Sequence, residues 1–260
     1  MARTLPGPLA ALLMLACLGG CAQQRELLAP PAGGAQVHFS IKVPQDLAAD
    51  PLRVMYRSAK CPVKRSGADW TSYEEDGYHA IEVQPQRQDA TDLYVANLAV
   101  DGGGACQWQL SNVTFGVRYA NTARFGANIQ PGGGGGVIVI FDNHLPQRRS
   151  MYSPKEVSGD LVIKQDYYPW VSESFLGGHE RLSRLFSDQD IFLTYRAIQA
   201  RQVIFEPILH SDYVVYSEGP KVKREGNYTR FTYPDGSVIA NGDTEPDFDK
   251  LQALRLGGAK

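Results

Sequence analysis

Along much of this chain apolar side chains recur at every second position, and that period decides what the chain can fold into. Val37, Phe39, Ile41 and Val43 alternate with His38, Ser40 and Lys42, the pattern of a strand with one buried and one wet face. Pro44 ends the run. Residues 52–56, 78–83 and 93–100 read as further strands. A longer run, Cys106, Trp108, Leu110, Val113, Phe115, Val117 and Tyr119, slips phase once at Ser111-Asn112. Such a slip implies a bulge or a turn between two short strands. Val137-Ile138-Val139-Ile140-Phe141 is apolar throughout, as in a strand covered on both faces. Short strands at this spacing, with Gly, Pro and Asp between them, predict a β-sandwich.

The second half continues with strands near 161–164, 191–195, 203–205 and 213–216. Leu182, Leu185 and Phe186 have helical spacing and predict a short helix over 179–187. Two alternating runs within 227–240 flank Pro234-Asp235-Gly236, which spells a β-hairpin. Thr244 can cap a final helix with Glu245 and Pro246 in its first turn, Phe248, Leu251 and Leu254 on one face, and Gly257 as its stop. The polar stretch 143–154 suggests a subdomain boundary. The expected architecture is mainly β, with a β-sandwich-like domain over 36–145 and a β-rich α+β part over 146–260.

The N-terminus carries a different signal. Arg3 precedes an apolar run over 5–18, and Leu18-Gly19-Gly20-Cys21 follows. The run is shorter than the roughly 20 apolar residues of a membrane-spanning helix, so residues 1–20 read as a removable export signal. An ordinary secretory signal with a chance cysteine also fits. The Leu-Gly-Gly-Cys sequence resembles the lipobox of bacterial lipoproteins. That resemblance implies a diacylglyceryl group on the Cys21 thiol, cleavage before Cys21, and a third acyl chain on its freed amine. By the same resemblance, Ala22 implies sorting to the outer membrane, with the domain on its periplasmic face. Each buried acyl CH₂ contributes about 0.8 kcal/mol, and two or more chains hold stably. Residues 21–35 lack any strand or helix period and read as lipid anchor and flexible tether, reaching at most about 45–50 Å.

Removing residues 1–20 removes Arg3 and takes the net charge from −2 to −3. That balance excludes the basic surface nucleic-acid binding needs. The remaining chain, about 240 residues long, has enough apolar content for a real core. Of the four cysteines, Cys17 leaves with the signal and Cys21 takes the lipid. Cys61 and Cys106 remain and most simply pair in an oxidising compartment. Closing that loop would stabilise the fold by about 4 kcal/mol on the chain-entropy model. A metal or redox pair is the rival reading, but it lacks a Cys-x-x-Cys and a nearby His pair.

Chemical motifs are scarce. The glycine run at 132–136 precedes a strand and has no lysine, so it reads as a flexible surface loop rather than a phosphate cradle. No Gly-x-Ser-x-Gly occurs, and His38, His79, His144, His179 and His210 are scattered singly. His179-Glu180 lacks the second histidine a zinc peptidase needs. No catalytic residue, metal ligand or cofactor is assigned, and no enzymatic activity is expected. Asp69, Glu74, Glu75 and Asp76 interleave with Trp70, Tyr73 and Tyr78 inside the expected disulfide loop. This is either a solvated loop or a recognition loop, with Trp70, Tyr73 and Glu75 as candidate partner contacts. Residues 64–78, 101–106 and 206–220 are expected to be long polar and aromatic loops. Lys221, Lys223 and Arg224 could face lipid headgroups, an acidic partner, or only solvent.

The lipobox, the two-cysteine β domain and the stretch Cys106-Gln-Trp-Gln-Leu-Ser-Asn-Val together resemble periplasmic lipoproteins of type VI secretion loci. Several of these are immunity proteins against lipase effectors. The resemblance implies a protein partner, a secreted effector toxin of the phospholipase kind, neutralised by occlusion without a catalytic residue. The alternative class is an envelope structural or assembly lipoprotein that binds peptidoglycan or a secretion or transport complex.

Overall fold

The computed structural model describes residues 27–144, 146–148, 153–189 and 191–257. The expected signal segment 1–20 and the lipid site Cys21 lie outside the described residues.

The chain begins with β1 (Gln36–Lys42), β2 (Leu47–Ala49) and two long strands, β3 (Leu52–Ser66) and β4 (Ser72–Val83). Next come β5 (Gln86–Arg87), β6 (Leu93–Ala99), β7 (Asp101–Gly103) and β8 (Trp108–Tyr119). β9 (Gln130–Pro131), β10 (Gly136–Ile140), β11 (Lys155–Glu156) and β12 (Leu161–Ser174) follow. After them run β13 (Glu180–Phe186), β14 (Phe192–Arg196) and β15 (Gln202–Leu209). The last are β16 (Val215–Glu218), β17 (Arg230–Thr232), β18 (Val238–Ile239) and α1 (Phe248–Gly257).

Two mixed sheets result. One runs β18-β17-β16-β12-β15-β1-β6-β5, with β13 on β12 and β9 on β13; the other runs β11-β14-β10-β8-β3-β4, with β2 and β7 on β8. Their inner faces meet across one apolar core. Phe39 of the first sheet meets Phe115 of the second edge-to-face at 5.2 Å, and Phe115 meets Phe205 at 6.0 Å. β10 lies between β8 and β14 with Val137, Ile138, Val139 and Ile140 all buried, so the continuous apolar run is covered on both faces as expected. β8 is a single strand. Its register against β3 passes from Met55↔Asn112 to Tyr56↔Leu110, which leaves Ser111 as the extra residue of a bulge.

Several expectations need correction. Residues 146–260 do not form a separate packed unit: β15 lies beside β1, β14 lies on β10, and one core draws on both halves. The segment 179–187 is not a helix. Gly177 and Gly178, both at positive φ, reverse the chain so that β13 pairs antiparallel with β12. Pairing along seven residues outweighs the helical spacing of three apolar side chains. The glycine run is not loose either. Gly132 N donates to Ser183 O at 2.7 Å, and a Cβ at Gly134 would stand 2.0 Å from Leu185 O. Close approach of backbones is what demands glycine there. The described end of the expected tether, residues 27–35, is laid on the domain: Ala29 N donates to Gly102 O at 2.8 Å, and Leu28 packs on the core.

A smaller apolar cluster gathers Tyr168, Trp170, Phe186, Val215, Phe231, Tyr233 and Leu251 under α1. The helix start is Asp247, whose carboxylate accepts from Lys250 N at 3.0 Å, three residues beyond the expected cap Thr244. The hairpin turn at Pro234-Asp235-Gly236 is as read, with Gly236 N donating to Tyr233 O at 2.9 Å.

Candidate functional site

β3 and β4 outrun their sheet. β8 accompanies β3 only over Arg53–Arg57, whereas β4 stays with it to the pair Ser66↔Ser72. Beyond residue 58 the two strands therefore stand as a ribbon with no third strand among the described residues. Their pairing register shifts between Ser58 and Val63, where β3 bulges over Gly77. A Cβ at Gly77 would lie 1.8 Å from Cys61 O, so only glycine fits under the bulge. The sequence residues expected as a loop at 64–78 are thus mostly strand. Likewise 101–106 contains β7, and 206–220 contains the end of β15 and all of β16. Alternation in the ribbon is polar on both faces, and a strand buried on neither face leaves no period to read.

The ribbon base is fixed from two sides. Cys61 and Cys106 form the disulfide, with Cα atoms 5.5 Å apart, and Ser58 Oγ donates to Cys106 O. The bond links β3 to the turn between β7 and β8. On the other side, His144 Nδ1 meets Asp76 Oδ2, and buried Arg57 donates to Pro146 O and to Asp76 O. A cleft lined by Glu74, Glu75, Asp76, Asn143, His144 and Pro146 lies between ribbon and clamp. Beneath it, Asp142 Oδ1 accepts from Ser111 Oγ at 3.0 Å and from His144 N at 3.2 Å. Burial holds the Asp142 carboxyl above the usual carboxylate range, against the pull of these hydrogen bonds.

At the tip, Trp70 N donates to Gly67 O at 3.2 Å and Gly67 N donates to Thr71 O at 2.7 Å. Asp69 Oδ1 accepts from Thr71 Oγ1 and Thr71 N, which keeps its carboxyl below the ordinary range. Trp70 closes the turn at φ +65° and is 95% exposed. A bulky side chain in the left-handed region costs of order 1–3 kcal/mol, and such strain concentrates at functional sites.

The three predicted contacts share this ribbon. Arg65↔Tyr73 and Val63↔Glu75 are cross-strand pairs, so Tyr73 and Glu75 lie on one face. Arg65 Nε donates to Glu75 Oε2 at 3.2 Å and its guanidinium stands 5.8 Å from the Tyr78 ring centroid. Tyr73 is 48% and Tyr78 43% exposed. Trp70 is separate, at the end. The sequence reading missed Arg65 and the His144–Asp76 clamp, and it placed Tyr78 in the aromatic and acidic cluster without making it a candidate contact. Arg65 lies eight residues from Tyr73 across a turn, and only the register joins them.

Among the described residues no helix is long and apolar enough to cross a membrane, and no group of three or more His, Cys, Asp or Glu is placed to hold a metal. No protein-family model, curated protein or solved structure matches the chain.

Proposed function

We propose that the chain is a membrane-anchored periplasmic lipoprotein that binds and neutralises a toxic secreted effector, a lipase delivered by a type VI system. The observation that carries the reading is Trp70, 95% exposed on the tip of a ribbon held at its base by a disulfide. Burying an aromatic side chain of 150–250 Å² at roughly 25 cal/mol per Å² gives a gross driving force of about 4–6 kcal/mol. A fixed base lowers the ordering cost of binding, because the ribbon is presented ready-made. Tyr73, Tyr78 and Arg65 are residue types enriched at interface hot spots. An anchor at Cys21 would raise the local concentration of the binder where a lipid-directed toxin works.

The test is protection. Cells lacking the protein should be killed by one co-encoded effector, and the wild-type gene should rescue them. Trp70→Gly, Tyr73→Ala and Glu75→Ala should each weaken rescue and binding without lowering the melting temperature by more than about 2 °C. A deletion strain as resistant to every co-encoded effector as its parent would overturn the immunity reading. Purified domain that hydrolysed lipid, with one His or Ser substitution abolishing the rate, would replace it with an enzyme. Saturable binding to peptidoglycan sacculi would favour the envelope-assembly class.

A further inference from the structure

We infer that, in the absence of its partner, the ribbon tip rests in the headgroup layer of the membrane that carries the anchor. The inference depends on Cys21 being the lipid site. Its structural basis is where the chain enters the fold. Leu27 lies beside the turn between β7 and β8: a Cβ at Gly104 would stand 2.9 Å from Leu27 O, and Ala29 bridges Gly103. Cys106 is in that same turn and is bonded to Cys61 at the ribbon base. The first described residues and the ribbon base therefore meet at one turn.

The lengths agree. Cys21 to Leu27 is six residues, a reach of at most about 20–22 Å. Cys61 to Gly67 is also six residues, and at about 3.3 Å per residue the ribbon projects roughly 20 Å. The tip thus reaches as far from the disulfide as the longest possible link to the lipid. Trp70 at the end and Tyr73 behind it are the residue types that settle at a membrane–water boundary, ring inward and polar edge outward. Lys64 and Arg65 are offset by Asp69, Glu74 and Glu75, so the contact does not depend on anionic lipid. One indole would not hold a free domain on a bilayer. With the domain already tethered within about 20 Å of the lipid surface, the contact is intramolecular, and a weak preference is enough to populate it.

Trp70 is also its own reporter, because Trp108 and Trp170 are 5% and 7% exposed. The acylated mature chain is reconstituted in phosphatidylcholine vesicles whose acyl chains are brominated near the ester, and acylation of Cys21 is verified by mass. Bromolipid should quench wild-type tryptophan emission at least about twofold more than that of Trp70→Phe. Inserting ten Gly/Ser residues after Ala22 should reduce the difference, since effective concentration falls with linker length. Equal quenching of wild type and Trp70→Phe on an acylated chain would overturn the inference alone and leave partner binding standing. Protection of Trp70 from iodide without bromolipid quenching would also overturn it, by placing a second copy of the chain on the tip. A chain carrying no acyl group would overturn the anchor reading and the inference together.

Discussion

β3 and β12 are built alike and finished differently. Both are long strands, of 15 and 14 residues, that run past the sheet in which they begin. The overrun of β12 acquires β16 on one side and β13 on the other, and its Tyr168, Trp170 and Val171 are buried. The overrun of β3 acquires only β4, and its Lys64, Arg65 and Ser66 are exposed. Among the described residues, the β12 extension is covered by aromatic residues and a helix, and the β3 extension is not. An uncovered two-stranded ribbon is marginal on its own, which is why the disulfide and the His144–Asp76 contact occur at its root.

The contrast can be broken most sharply at the two tryptophans. Trp170→Ala removes a ring packed against Phe186 and Phe231 and an indole N–H that donates to Ser217 Oγ at 2.8 Å. It should cost about 3–5 kcal/mol in urea unfolding. Replacing Cys61 and Cys106 together by serine should cost up to about 4 kcal/mol on the chain-entropy model. Here hydrogen exchange sharpens the comparison: protection should fall first in residues 58–78 while β12 keeps its own. A uniform loss would show that the bond supports the whole sandwich rather than the ribbon.

Acid titration gives a smaller effect of known sign. The Asp142 carboxyl is held above its unfolded value by burial, so between those two values the folded chain binds more protons than the unfolded one. Stability should therefore fall as pH rises through that window. Asp142→Asn should flatten the slope in urea unfolding measured from pH 4 to 7; an unchanged slope would remove Asp142 as its source. Smallest of all, Trp70→Gly should leave stability unchanged or raise it by up to about 1 kcal/mol, because glycine takes positive φ without strain. A drop above about 1 kcal/mol would mean the indole supports the fold after all, contrary to an exposed tip.

The same contrast explains what was legible in the sequence. Strands with one wet face, such as β1, announced themselves by period, and β10, covered on both faces, by a continuous apolar run. Pro234-Asp235-Gly236 announced its turn by chemistry. β13 did not, because Leu182, Leu185 and Phe186 fit a helix as well, and only pairing with β12 decides. The ribbon hid for the opposite reason: with neither face buried, its composition matches a loop. Trp70, Tyr73 and Glu75 could be picked out as an aromatic and acidic cluster, but their division into a tip and one face depends on the Arg65↔Tyr73 register. The missing boundary near residue 145 has the same origin. Parallel pairing of β1 with β15 leaves no local trace.

That pairing sets the order in which the molecule can be made. β1 ends at Lys42 and its neighbour begins at Gln202, so the middle of one sheet waits for residues synthesised some 160 positions later. Contacts so distant in sequence slow folding, since most of the loop-closure entropy is lost before they form. Until β15 arrives, Val37, Phe39 and Ile41 have only β6 beside them, with one long edge open. The sheet stays unfinished until β15 joins β1, so its closure is a late step of folding.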